Sequence, residues 1–112
     1  MRTRAFRYKF ATYNYKVKVI FTKDVNKECV KRFPEFFKAA EDKCAGFTLS
    51  GEGTSDVVLS WAATADDIAH ECFHVIWAMM KHIGAGIGEE IVAYHLGHLV
   101  GIVTNWKAGV GK

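Results

Sequence analysis

Residues 64–84 read TADDIAHECFHVIWAMMKHIG, and this stretch carries the clearest helix signal and the clearest functional signal of the chain. Thr64 is a good helix N-cap, and Asp67, three residues later, completes the acidic form of a capping box. Apolar residues then recur at helical spacing up to Met80. We therefore predict a helix that begins after Thr64 and ends near His82, before a loop rich in glycine.

His70, Glu71 and His74 form the pattern HExxH within this helix. Residues four apart lie one helical turn apart on the same face, so both imidazoles can reach one ion. Neutral imidazole nitrogens are ordinary ligands of zinc. Glu71 is rotated by about 100° from His70, so we expect it to approach a metal-bound water and to act as the general base. The competing interpretation is a helix with two histidines on its exposed side.

A catalytic zinc site needs a third protein ligand. A final helix, predicted from near Glu89 to about residue 104, offers Glu89, Glu90, His95 and His98. Tyr94 on the same helix is expected to pack in the core, whereas His95 and His98 are expected at the surface. Any of these last three side chains could also stabilise an oxyanion.

The position of a stripe of small residues on this helix favours one of the two glutamates over the other. Ala93, Gly97 and Gly101 recur every four residues, which favours close packing of this helix on another helix. At 100° per residue, Glu90 falls inside the stripe and Glu89 at its margin. If the stripe faces the motif helix, Glu90 points at the metal, so we predict Glu90 as the third ligand and keep Glu89 as the alternative. The competing interpretation of the acidic pair is a favourable charge at a helix N-terminus.

The first half of the chain reads mainly as strands. Residues 5–10 and 15–21 have strand composition and are joined by a short connection, which predicts a hairpin. Asp24 can cap a helix that starts at Val25 and continues, bent or broken at Pro34, to about residue 40. Residues 47–50 and 56–61 read as two more strands. The fold class expected is α+β, with a small, mainly antiparallel sheet and the helices packed on one side.

The composition is typical of one globular domain, predicted over residues 1–112, and the formal net charge is only +3. Arg2, Arg4, Arg7 and Lys9 are interleaved with other residues, as on the wet face of a strand, so we expect no nucleic-acid partner. The odd set of three cysteines predicts free thiols in a reducing compartment. Since no signal peptide or membrane span is apparent, we expect no membrane partner and a cytoplasmic location.

The second half of the chain resembles the small zincin-like metallopeptidases of the gluzincin type that occur in bacteriophages and prophages. The resemblance lies in Trp61, in residues 70–75 (HECFHV), in residues 88–94 (GEEIVAY), and in Gly97 and Leu99. It implies His70 and His74 as zinc ligands, Glu71 as general base and one glutamate of the 89–90 pair as third ligand. It also implies the cytoplasm of a bacterium or a phage-infected host, and it makes residues 56–61 the edge strand that pairs with an extended substrate.

The sequence is compatible with three functions. The first is zinc-dependent hydrolysis of a peptide or other amide bond, with a peptide or protein as substrate. The second is a non-catalytic module that zinc stabilises and that binds a partner protein. The third is a metal-free adaptor built on the helical pair, in which the histidines have no ligand. Glu71 separates the first from the second, because only an enzyme needs its carboxylate for turnover.

Overall fold

The computed structural model describes residues 2–35, 45–84 and 88–110. The strands are β1 (Arg4–Phe10), β2 (Tyr15–Thr22), β3 (Gly46–Gly51) and β4 (Thr54–Ser60). The helices are α1 (Val25–Arg32), α2 (Ala65–Ile83) and α3 (Glu89–Val110), with a 3-10 turn, Ala11–Tyr13, between the first two strands.

The four strands form one mixed sheet in the order β1-β2-β4-β3. β1 pairs with β2 and β3 pairs with β4 in antiparallel fashion, whereas β2 and β4 are parallel. The predicted α+β class and the hairpin over residues 5–21 are therefore confirmed. β4 lies inside the sheet, so the expectation that residues 56–61 form an edge is wrong, and β3 occupies that edge.

Both faces of the sheet are covered in part. The larger core lies between the sheet and α2 and α3, where alternate residues of β2, from Tyr15 to Phe21, meet the apolar faces of the two helices. Ile20 of β2 and Val58 of β4 point the other way and pack against Val25 and Cys29 of α1. The prediction that all helices pack on one side is thus wrong for α1, because both central strands bury apolar side chains on their second face as well.

Local signals place the helix starts correctly. The Asp24 carboxylate accepts a hydrogen bond from the Lys27 amide at the start of α1. Thr64 and Asp67 form the predicted capping box, in which each side chain accepts from the other residue's backbone amide. Gly84 caps the C-terminal end of α2 in the left-handed conformation (φ 69°) that favours glycine.

The helix ends differ from the prediction. α1 stops at Arg32, before Pro34, so the prediction that it continues is wrong for residues 33–35, and residues 36–40 lie outside the described residues. α3 extends to Val110, beyond the predicted end, because Trp106 stacks on Phe6 and on Phe21 and thereby anchors the last turns of the helix. Across the described ranges, no helix combines the length and the apolar character that a bilayer crossing requires.

Candidate metal centre

His70 and His74 lie one turn apart on the exposed side of α2, and their rings meet edge to face. Their Nε2 atoms are 3.2 Å apart. Two nitrogens bound to a tetrahedral zinc at about 2.0–2.1 Å are separated by about 3.3 Å. The pair therefore matches the spacing of two zinc ligands, and the same spacing allows one N–H···N hydrogen bond between the rings when one Nε2 is protonated.

Glu71 points towards β3 and is buried, with 7% of its surface exposed. The Thr48 hydroxyl lies 2.8 Å from Glu71 Oε1, to which it donates, and 3.3 Å from the Glu71 backbone oxygen. The other carboxylate oxygen, Oε2, lies 3.9 Å from His70 Nε2. That distance is too long for a direct hydrogen bond but suits one intervening water, which is the position required of a general base.

Gly46 of β3 provides the space that Glu71 occupies. A Cβ atom at residue 46 would lie 2.8 Å from Glu71 Cγ and 2.9 Å from Leu59 Cδ2. Both distances are shorter than real Cβ contacts. Any larger residue at this position would therefore push the Glu71 side chain or the buried Leu59 side chain out of place.

The three motif side chains open onto a surface pocket of about 460 Å³ at the edge of the sheet. Its other wall is β3, with Thr48 and Ser50 on the side that faces α2. Cys72 lies outside this pocket, buried in the core beneath the helix. Burial and the neighbouring Glu71 carboxylate raise the pKa of the Cys72 thiol to about 12, so it stays protonated and acts as a small apolar residue.

The predicted third ligand does not join this group. Glu89 and Glu90 are both exposed at the start of α3 and do not line the pocket. The Lys107 Nζ atom donates to the Ala63 carbonyl, which places the C-terminal end of α3 beside the start of α2. The two acids therefore lie level with the C-terminal end of α2, whereas His70 lies in its first half and His74 at its midpoint. In residues 2–35, 45–84 and 88–110, no three His, Cys, Asp or Glu side chains are placed to hold a metal.

The small-residue stripe does not face α2. Ala93 and Gly97 are exposed, and a Cβ atom at Gly97 or Gly101 would meet no atom within 4 Å. α3 instead buries Leu99 and Val103. The packing of α3 therefore does not favour Glu90 over Glu89, and the identity of the third ligand stays a prediction.

The remaining candidates lie at the other edge of the sheet. Tyr94 is 72% exposed, so its predicted core position is wrong. His95 Nε2 is 3.1 Å from the Tyr13 hydroxyl, and His98 Nε2 is 3.0 Å from the Tyr8 hydroxyl. These contacts place both histidines beside β1, three strand spacings or about 14 Å from β3. They are therefore too far from Glu71 to stabilise an oxyanion there.

Sequence reasoning missed Thr48 and Gly46, the two β3 residues that position Glu71. The available signal was the alternation of small residues at Gly46, just before the strand predicted over residues 47–50, and at Thr48 and Ser50 within it. That signal becomes informative only when β3 is known to lie beside the motif helix. Comparison with protein-family models, with curated proteins and with solved structures finds no match for this chain.

Proposed function

We propose that this protein is a zinc-dependent peptidase that hydrolyses a peptide or other amide bond. The observation that carries the proposal is the 3.2 Å separation of His70 Nε2 and His74 Nε2, with Glu71 Oε2 3.9 Å from the first of them. Two imidazoles at zinc-ligand spacing beside an oriented carboxylate supply two zinc ligands and the general base of a site for metal-assisted hydrolysis.

Each residue has a distinct role in this proposal. His70 and His74 bind zinc through Nε2 as neutral imidazoles, and either Glu90 or Glu89 is the proposed third ligand. Bound zinc supplies Lewis acidity towards a carbonyl and lowers the pKa of water. Glu71 Oε2 accepts the proton of the attacking water and later delivers it to the nitrogen of the leaving amine. Thr48 holds Oε1, so that Oε2 keeps its direction.

The substrate proposed is an extended peptide that runs along β3. Within the part of the chain that the structure describes, β3 pairs with a single strand, β4. A strand at the edge of a sheet can bind an extended peptide through backbone pairing. Because Thr48 links β3 directly to Glu71, a peptide at this edge lies next to the proposed base.

The first experiment measures metal in protein purified without a histidine tag, by mass spectrometry of the elements. We expect about one zinc per chain in the wild type and loss of zinc in His70→Ala and His74→Ala. His98→Ala is the matched control, because it removes an exposed histidine at the opposite edge of the sheet. Wild-type protein that lacks zinc and does not bind it on titration would overturn the proposal.

The second experiment tests catalysis with a mixture of internally quenched peptides. Glu71→Gln keeps the size of the side chain but removes the base, so zinc content should stay unchanged. Hydrolysis should fall by about 10²–10⁴-fold, the usual contribution of general base catalysis. Turnover in Glu71→Gln equal to that of the wild type would exclude the role given to Glu71.

A third experiment identifies the third ligand by comparing the zinc affinity of Glu90→Gln with that of Glu89→Gln. The variant that has lost the ligand should bind zinc more weakly than the other.

A second candidate function is a zinc-stabilised module that binds a partner protein without catalysis. Phe73 and Trp77, beside His74 on α2, are 39% and 42% exposed and their rings stack with centroids 5.8 Å apart. Exposed aromatic pairs of this kind are common at protein interfaces. Under this alternative, Glu71→Gln leaves partner binding intact, whereas Phe73→Ala with Trp77→Ala abolishes it.

A further inference from the structure

Four cations meet on the sheet face that α2 and α3 leave uncovered. Alternate residues of β1 and β2 enter the core beneath these helices, so the residues between them point to the opposite face. The strand register places Arg7 directly opposite Lys18 and Lys9 directly opposite Lys16. The four side chains therefore form a two-by-two array, which we call the basic array.

Placing like charges opposite each other destabilises a sheet. Lysine on an edge strand can protect that edge from pairing with another chain, which would explain Arg7 and Lys9 on β1. It does not explain Lys16 and Lys18, because β2 lies inside the sheet between β1 and β4. Like charges that repel each other in the middle of a sheet indicate residues that serve ligand binding and not folding alone.

Among the described residues, no ion pair neutralises the basic array. Asp56 of β4 is the strand partner of Lys18, yet in the described ranges no carboxylate lies within 4 Å of any of the four cations. Arg7, Lys9 and Lys16 are exposed, and Lys18 is half-buried. The four cations line an open pocket of about 350 Å³, in which Asp56 is the acidic residue.

The neighbouring concave surface differs in its charge. The pocket between α1 and the strand ends has a volume of about 700 Å³ and holds Lys23, Lys27 and Lys31 together with Asp24 and Glu28. Its charges nearly balance, so it adds little to the field of the basic array. Of these two concave surfaces, the one formed by β1 and β2 therefore carries the larger excess of positive charge.

We propose that the basic array binds the phosphate backbone of duplex DNA without sequence preference. The exposed large apolar side chains of the described chain, Phe73, Trp77, Ile91 and Tyr94, all belong to α2 and α3. The array therefore has neither the aromatic platform that single strands use nor the apolar centre of a protein interface. A duplex backbone requires only charge, which this surface provides.

This inference departs from the expectation of no nucleic-acid partner because it depends on the register of the sheet. The sequence shows basic residues in two separate strands, whereas the pairing of β1 with β2 turns them into one surface. The array and the zinc residues lie on opposite faces of the sheet. DNA binding therefore does not depend on the proposed peptidase activity.

The test is fluorescence anisotropy of a labelled duplex of about 20 base pairs, titrated with the full chain at about 50 and about 200 mM salt. Four phosphate contacts predict a slope of log K against log[salt] of about −3.6, or an affinity loss of about 150-fold over this range. With two contacts left, Lys16→Gln/Lys18→Gln should lose only about 12-fold over the same range and should bind more weakly at the lower salt.

The matched control, Arg4→Gln/Lys81→Gln, removes two exposed charges from the other side of the sheet and from α2. It should keep the wild-type salt dependence. Since the test substitutions remove repulsion, circular dichroism should show an unfolding temperature no lower than that of the wild type. No DNA binding by the wild type at the lower salt would overturn the proposal. Equal losses in the test and control variants, or binding to vesicles containing phosphatidylserine but not to DNA, would also overturn it.

Discussion

Gly46→Ala should displace Glu71 and destabilise the protein, although glycine to alanine in a strand is usually favourable. The new Cβ atom would lie 2.8 Å from Glu71 Cγ and 2.9 Å from Leu59 Cδ2. Neither neighbour can move freely, because Leu59 is fully buried and Thr48 holds the Glu71 carboxylate. The structure therefore has to shift at the point where β3 meets α2.

The size of the effect follows from two opposing contributions. Overpacking of this kind costs about 1–3 kcal/mol. Gly46 does not have a positive φ, so alanine also gains about 0.4–1 kcal/mol through the lower entropy of the unfolded chain. The net loss in the free energy of unfolding is about 1–2 kcal/mol, or roughly 5–10 °C in Tm for a chain of this size.

Urea denaturation followed by circular dichroism measures this loss, and Gly51→Ala in the same strand is the matched control. A Cβ atom at Gly51 would meet only Thr54 Oγ1, at an ordinary 3.8 Å, so this variant should be as stable as the wild type or slightly more stable. Combining Gly46→Ala with Glu71→Ala removes one of the two clashes. The double-mutant cycle should therefore show a coupling of at least about 0.5 kcal/mol.

Two results would refute this reasoning. The first is equal stability of Gly46→Ala and Gly51→Ala, which would mean that Glu71 does not occupy the space at Gly46. The second is strict additivity with Glu71→Ala, which would assign the whole cost to Leu59. If the clash is with Glu71, Gly46→Ala should also lower peptide hydrolysis while zinc content is kept.

Three further predictions concern the hydrogen bond of Thr48 and the pKa values of Asp67 and His95. Thr48→Val removes the donor to the buried Glu71 carboxylate and should lower the free energy of unfolding by about 1.5–3 kcal/mol. Thr48→Ser keeps the donor and should not lower it. Equal urea midpoints of Thr48→Val and the wild type would contradict this prediction. Hydrogen bonds from the backbone and the side chain of Thr64 lower the pKa of Asp67 below 3.8. The stability advantage of the wild type over Asp67→Asn should therefore be complete at neutral pH and vanish as the pH falls through that lowered pKa. An advantage that persists in strong acid would contradict this prediction. Burial, with a smaller effect of His98, lowers the pKa of His95 below 6.5, so the unfolded chain binds the proton more readily. The wild type should lose more stability than His95→Gln between about pH 7.5 and pH 5.5, and parallel thermal unfolding curves would argue against this.

The sequence predicts the features that depend on near neighbours. Asp24 and the Thr64–Asp67 box mark two helix starts, because a cap joins residues only three apart. The two strands of the first hairpin follow from their composition and from the alternation of apolar and basic residues in β2. His70 and His74 meet because residues four apart share a helix face in any fold.

Features that depend on distant residues appear only in the tertiary structure. Helical periodicity does not reveal which flank of α3 is buried, so the stripe at Gly97 favours close packing on another helix in the sequence but lies in the open in the structure. The order of the strands makes β3 the edge and brings Thr48 and Gly46 to Glu71. The register of β1 on β2 likewise turns interleaved basic residues into one charged surface. Each of these outcomes is set by burial of apolar area between elements far apart in the chain, which a local pattern does not encode.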